Sequence, residues 1–267
     1  MLRSVMLKSL RDQCRSLLWW SAGILAMVLL LVLIYPSVRD VPEYQDLVDS
    51  LPEAMRNLFM GAGAVDFLSP TGYLNSRLFA FLAPALFLVY AIGQGAGGVA
   101  GEEERGTLEL LLSSPIARWR VALEKFGTLV LGTLMLTMVM FAGLWVSATA
   151  IDMDIALDKL AQASASLALL SVVFGAMALA VGAATGKRGV AIGATTGVAV
   201  AAYLIDALAP LAGFLDALRP LSPFKYYNSA VPLQNGLDPL HVCVLLVITV
   251  AIVVVAIVGV ERRDLQV

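Results

Sequence analysis

Residues 17–35 read LLWWSAGILAMVLLLVLIY, an unbroken run without a formal charge. At 1.5 Å per residue, such a run makes a helix about 29 Å long, matching the roughly 30 Å hydrocarbon core of a bilayer. A similar run near the other end, HVCVLLVITVAIVVVAIVGV at 241–260, contains no charge except one that His241 can carry. Between them the same window predicts spans at 78–98, 127–150, 160–185 and 190–208. The expected fold class is therefore all-α, a polytopic membrane protein with six transmembrane helices in one domain over residues 1–267. Only GKRG at 186–189 separates the fourth and fifth spans. Two cations between glycines predict a tight turn at a membrane surface, and hence a helical hairpin.

Composition supports lipid as the solvent. The 267-residue chain is 60% hydrophobic and 14% charged, with a mean hydropathy of +0.86. Soluble domains average about 25% charged residues. A net charge of −2 and a pI near 5.4 give no basic excess, which argues against nucleic acid as a partner. Cys14 and Cys243 fall on opposite sides of the predicted membrane and fit neither a disulfide framework nor a zinc site. One histidine cannot build a multi-histidine metal centre. With no metalloprotease, nucleophile-elbow or intramembrane carboxylate-pair pattern, no catalytic or metal-ligating residue is assigned.

With the N-terminus inside, 12 of the 18 lysines and arginines lie on the inner side, so both termini are expected in the cytoplasm of a cell (inner) membrane. The N-terminal cations and the first apolar run resemble a signal peptide. The run has full span length, however, and no small-residue cleavage site precedes Tyr35-Pro36, so it reads as a retained signal anchor. Before it, Leu2, Val5, Met6, Leu10 and Leu17 recur near helical spacing among Arg3, Lys8, Arg11 and Arg15. That pattern predicts an N-terminal interfacial helix; the alternative is an extension of the first span. On the outer side, LPEAMRNLF (51–59) predicts a short amphipathic helix and SPTGYLNSRLF (69–79) a turn into the second span. SPFKYYNSAVPLQNGLDP, within 210–240, predicts a cap of small outer-face structure with Tyr226 and Tyr227 at the membrane interface.

Two nucleotide-binding patterns fail on context. Gly93-Gln94-Gly95-Ala96-Gly97-Gly98 matches G-x-G-x-x-G but lies inside an apolar span rather than between a strand and a helix. Residues 182–188, GAATGKR, are one residue short of a phosphate loop and place arginine where Ser or Thr would hold magnesium. The chain therefore carries no ATPase site of its own. Asp206 is the one acid inside a predicted span. It reads either as a polar pathway residue or as a wet carboxylate about one turn from the outer end.

The densest charge in the chain lies after the second span, in GEEERGTLELLLSSP at 101–115. Gly106 can end the preceding helix, Thr107 can cap a new one, and Glu109 suits the positive end of its dipole. Leu108, Leu111 and Leu112 then share a face, and Pro115 stops the helix within two turns. A helix that short is unstable alone in water, so its leucines need a groove. Glu102, Glu103 and Glu104 would be repelled by anionic lipid, so a cytoplasmic protein partner fits better than the membrane surface.

These residues, Glu102-x-Glu104, Gly106-Thr107-Leu108-Glu109, Leu111-Leu112 and Pro115-x-x-Arg118, resemble the second-to-third-span loop of ABC-2-type exporter permeases. The resemblance extends through Glu124-Lys125, the outer segments and Arg262-Arg263-Asp264-Leu265. It implies a permease subunit paired with a second one, as homodimer or heterodimer. Each would dock through a short cytoplasmic coupling helix on a separate ATPase subunit that holds ATP and magnesium, with no cofactor on this chain. Glu102 and Glu104 would join that helix to the membrane core. Gly93, Gln94, Gly97 and Gly101 would suit a dimer or pathway surface, or equally packing within the subunit. The implied function is export of an apolar or amphipathic substrate. The alternatives are a permease of the nitrous-oxide-reductase assembly type and an ion-coupled carrier using Asp206.

Overall fold

The computed structural model describes residues 5–39, 50–52, 55, 69–106, 117–211, 213–228 and 231–262. Among them, six helices are long and apolar enough to cross a membrane. They are carried by α1 (Val5–Arg39), α2 (Pro70–Gly98), α4 (Arg118–Ala150), α5 (Leu157–Thr185), α6 (Arg188–Leu208) and α9 (Pro239–Arg262). Short helices α3 (Ala100–Glu104), α7 (Gly213–Leu218) and α8 (Pro223–Asn228) sit at the helix ends. Each predicted span lies within one of the six long helices. The chain is an all-α, multi-pass membrane protein.

The near face carries the start of α1 and the end of α9; the far face carries α7 and α8. Helix α5 is the hub, packing on α2, α9, α4 and α6, while α1 attaches chiefly through α4. Within its most apolar stretch, α5 is 78% buried, against 17% for α1 and for α9. Its composition explains this: alanine, glycine and serine let neighbouring backbones approach closely where lipid offers no hydrophobic drive. Gly95 of α2 lies against the carbonyl of Gly175 in α5, where a Cβ would collide with it. Ser164 and Ser171 satisfy their hydroxyls on the carbonyls of Leu160 and Leu167, one turn back, at 2.8 and 2.7 Å.

Three expectations change. Helix α1 runs unbroken from Val5, so the predicted interfacial helix is not a separate element but the start of the first helix. No glycine or proline interrupts 5–20 to end it. The segment at 69–79 is already helical: Ser69 accepts from the Gly72 N–H at 3.1 Å and Pro70 occupies the first turn, a favourable helix start. Tyr227 is buried rather than interfacial, because its hydroxyl has a partner inside the fold. The predicted helix at 51–59 lies outside the described residues apart from Leu51, Pro52 and Met55.

That partner is set by Pro84. Helix α2 widens to a π-helix over Asn75–Leu82, where the Ala83 N–H reaches back to the Leu78 carbonyl. In this register the Phe79 carbonyl would accept from residue 84, but proline has no N–H to give. The Tyr227 hydroxyl donates to it instead, at 2.7 Å. Burial pushes the Tyr227 phenol above its ordinary value. At the GKRG turn, α5 ends on Gly186 at φ +65° and α6 begins at Arg188, giving the expected hairpin.

Candidate functional site

At the near end of α2 the helix breaks at Val99, resumes as α3, and stops at Gly106, whose φ of +66° is the left-handed conformation that glycine adopts without strain. Three attachments hold α3. The Glu102 carboxylate pairs with the Lys125 ammonium of α4. Lys125 also donates to Ser9 Oγ of α1 at 2.8 Å. The backbone N–H of Arg188 donates to Glu104 Oε1 at 2.8 Å. This last bond caps α6, whose own N-cap, Lys187, makes no side-chain cap hydrogen bond. A carboxylate there satisfies an orphan donor and complements the positive end of the helix dipole. Short α3 is thereby joined to α1, α4 and α6.

The Lys125 and Glu102 side chains are only 7% and 13% exposed. An ion pair so withdrawn from solvent is costly to break one-sidedly, because the remaining charge stays desolvated. Arg120 and Glu124 of α4 pair at 3.0 Å one turn apart, but Arg120 is largely exposed and the pair contributes little.

Of the residues expected to couple to a partner, Glu102, Glu104 and Gly106 are placed in this junction. Thr107, Leu108, Glu109, Leu111, Leu112 and Pro115 lie outside the described residues. Arg118 opens α4. Lys125 belonged to the resemblance but was not singled out; its ties to Glu102 and Ser9 span 23 and 116 residues of chain. No local pattern signals contacts that distant.

The small residues of α2 divide into two sets. A Cβ on Gly95 would strike Gly175, and one on Gly98 would press on Leu179, so these two mediate packing within the subunit. A Cβ on Gly93 or Gly97 would meet nothing within 4 Å. Together with Gln94, they line a polar cavity of about 510 Å³ that opens between α1, α2 and α4 near α3. Gly101 lies beneath Arg105 and Arg188, at ordinary contact distance. Within the polar cavity, the Gln13 Oε1 and the Tyr90 hydroxyl are buried without a hydrogen-bond partner among the described residues. An apolar groove of about 460 Å³ between α2 and α6 adjoins it, sharing Val89 and Gly93.

Asp206 lies at the far face. It is 4% exposed, pairs with Arg219 Nε at 2.9 Å, and accepts from Asn228 Nδ2 at 2.9 Å. Ser222 reinforces the same corner by donating to the Ala202 carbonyl at 2.8 Å. Asp206 thus ties the end of α6 to the cap. Among the described residues, no group of three or more His, Cys, Asp and Glu side chains is placed to hold a metal ion.

Comparison with curated proteins returns no match. The family model for ABC-2 family transporter proteins matches residues 3–265. With six apolar helices and a match over nearly its whole length, the chain belongs to the ABC-2 family of transporter membrane proteins.

Proposed function

We propose that this chain is the permease subunit of an ATP-driven exporter, worked by a separate cytoplasmic ATPase docked on residues 102–115. The observation that carries the reading is the junction at α3. The residues leading directly into that loop are fastened to three membrane helices by Glu102–Lys125–Ser9 and by Glu104 on the α6 N-terminus. A push on the loop reaches α1, α4 and α6 together through this junction. In this reading the near face is cytoplasmic in a cell membrane, consistent with its excess of lysine and arginine. ATP and magnesium bind the partner, and a second permease subunit completes the transporter. Leu108, Glu109, Leu111 and Leu112 form the docking face, with Thr107 and Pro115 setting its ends and Arg118 beginning the next span.

The test is purification of this chain from its native membrane in mild detergent, with identification of the ATPase that copurifies, followed by ATPase assays in vesicles. Leu111→Asp is expected to reduce recovery of the ATPase at least tenfold. Glu104→Lys is expected to uncouple ATP hydrolysis from transport. Unchanged association and unchanged coupling would show that the loop is not the docking element. Labelling of a cysteine at position 106 from outside intact cells would invert the orientation and end the reading.

A further inference from the structure

We propose that the polar cavity at the near ends of α1, α2 and α4, with the adjoining groove between α2 and α6, binds an anionic lipid-like amphiphile, its acidic headgroup in the cavity and its chain in the groove. The inference rests on the transporter reading for its purpose, and on separate observations for its chemistry.

The cavity's charge is the first observation. Among the described residues, Lys125, Arg105 and Arg188 line it with a single carboxylate, Glu102, and Lys125 is already engaged by that carboxylate. The Arg105 guanidinium and the Arg188 stem converge over Gly101, each within 3.8 Å of the same point. Neither side chain has an acidic partner among the described residues. The Glu104 carboxylate accepts from the Arg188 backbone N–H. Two cations brought together without an anionic partner among the described residues form a site for one, and arginine favours phosphate and carboxylate geometry.

Unsatisfied hydrogen-bonding capacity is the second. Tyr90 is 2% exposed and its hydroxyl has no partner; the Gln13 Oε1 is likewise buried and unpartnered. Both line the cavity. Buried polar atoms are ordinarily satisfied, so a pair left open in a roomy polar cavity marks a place for a polar group from elsewhere. A headgroup carrying hydroxyls would supply a donor to Gln13 and an acceptor to Tyr90.

Continuity is the third. The cavity changes character at Val89 and Gly93, beyond which Phe81, Pro84, Leu88, Ile192, Ala199 and Tyr203 give an almost wholly apolar lining. The polar half lies toward the near face and the apolar half toward the membrane interior, which is the polarity of an amphiphile. Gly93 sits at the join with open space where a side chain would project. Packing within the subunit does not require glycine there, whereas an acyl chain passing from one half to the other does.

The test uses the full chain alone, purified in detergent and transferred to nanodiscs of phosphatidylcholine, so that failure here leaves the ATPase-docking test untouched. Binding of oleoyl lysophosphatidic acid is compared with that of monoolein, which keeps the chain but lacks the charge, and of inorganic phosphate, which keeps the charge but lacks the chain. The anionic amphiphile is expected to bind saturably and at least tenfold more tightly than either. Arg105→Gln combined with Arg188→Gln is expected to weaken it at least tenfold and to leave monoolein unchanged. Gly93→Leu is expected to abolish binding while preserving thermal stability and helical content. Equal binding of monoolein overturns the headgroup site, and equal binding of inorganic phosphate overturns the chain groove. Undiminished binding to both variants overturns the assignment. Quantitative crosslinking of Gly93→Cys to a second copy, with no amphiphile uptake, shows that another subunit fills the groove and also overturns it.

Discussion

Both ends of the helix bundle fasten a short helical element to the spans through a poorly exposed carboxylate, yet the two ends are finished differently. At the far face Asp206 has a partner on each oxygen, Arg219 and Asn228. Tyr227 fills the vacancy left by Pro84, and the Leu237 N–H donates to Gln162 of α5 at 2.7 Å. At the near face the Glu102–Lys125–Ser9 chain and the Glu104 cap also bind elements together, but beside an open polar cavity with unsatisfied atoms at Gln13 and Tyr90. A fully paired polar network fixes one arrangement, whereas an incompletely paired one leaves capacity for a ligand or a rearrangement. The far end is built as an anchor, and the near end as a place where something engages.

The sharpest challenge to that contrast is Lys125→Met. It leaves Glu102 poorly solvated and without its cation, with an expected loss of about 3–5 kcal/mol read from unfolding in detergent. Adding Glu102→Gln is expected to recover most of it. A loss below about 1 kcal/mol would mean that the near junction is not a tight tie at all.

At the far end, Asp206→Asn removes the charge partner of Arg219 and is expected to cost about 1–3 kcal/mol, with transport retained in vesicles at permissive temperature. Transport abolished with stability intact would turn the anchor into a pathway element. Between the ends, Gly95→Ala forces a Cβ into the Gly175 carbonyl, and the expected loss is about 1–3 kcal/mol of overpacking.

Tyr227→Phe deletes one hydrogen bond, to Phe79, with an expected cost of about 0.5–1.5 kcal/mol. It also has a pH signature. Because the folded-state pKa lies above the ordinary value near 10, the folded state holds this proton more tightly than the unfolded chain does. Stability from Tyr227 is therefore present below pH 10 and is lost as pH rises beyond it. The phenylalanine variant should show a shallower decline in alkaline unfolding curves. The smallest effect is expected at Gly97→Ala, within about 0.5 kcal/mol, because its Cβ enters open space. A large loss there would show that the near cavity is closed by packing rather than open to a ligand.

Local chemistry made some features legible and hid others. Apolar windows marked the six spans because transfer into lipid is summed residue by residue along one segment. Gly186 and Gly106 marked helix ends because left-handed backbone is a local demand, met at φ +65° and +66°. Yet of the glycines in α2, the close approach within the subunit forms at Gly95 rather than at Gly93 or Gly97. Which glycine faces a neighbour depends on how α2 is rotated against α5, and no spacing within α2 specifies that. The pairing of Glu104 with an amide 84 residues away was equally hidden.

The sequence by itself determined that the chain is a bundle of membrane helices, where those helices run and where they turn, since hydropathy and backbone freedom act over a few residues. Only the tertiary structure decided that Glu102 meets Lys125 and Ser9, that Asp206 is locked by Arg219 and Asn228, and that a polar cavity runs into an apolar groove beside α2. Those outcomes depend on the packing of helices distant in sequence, where partners are chosen by geometry in three dimensions rather than by order along the chain.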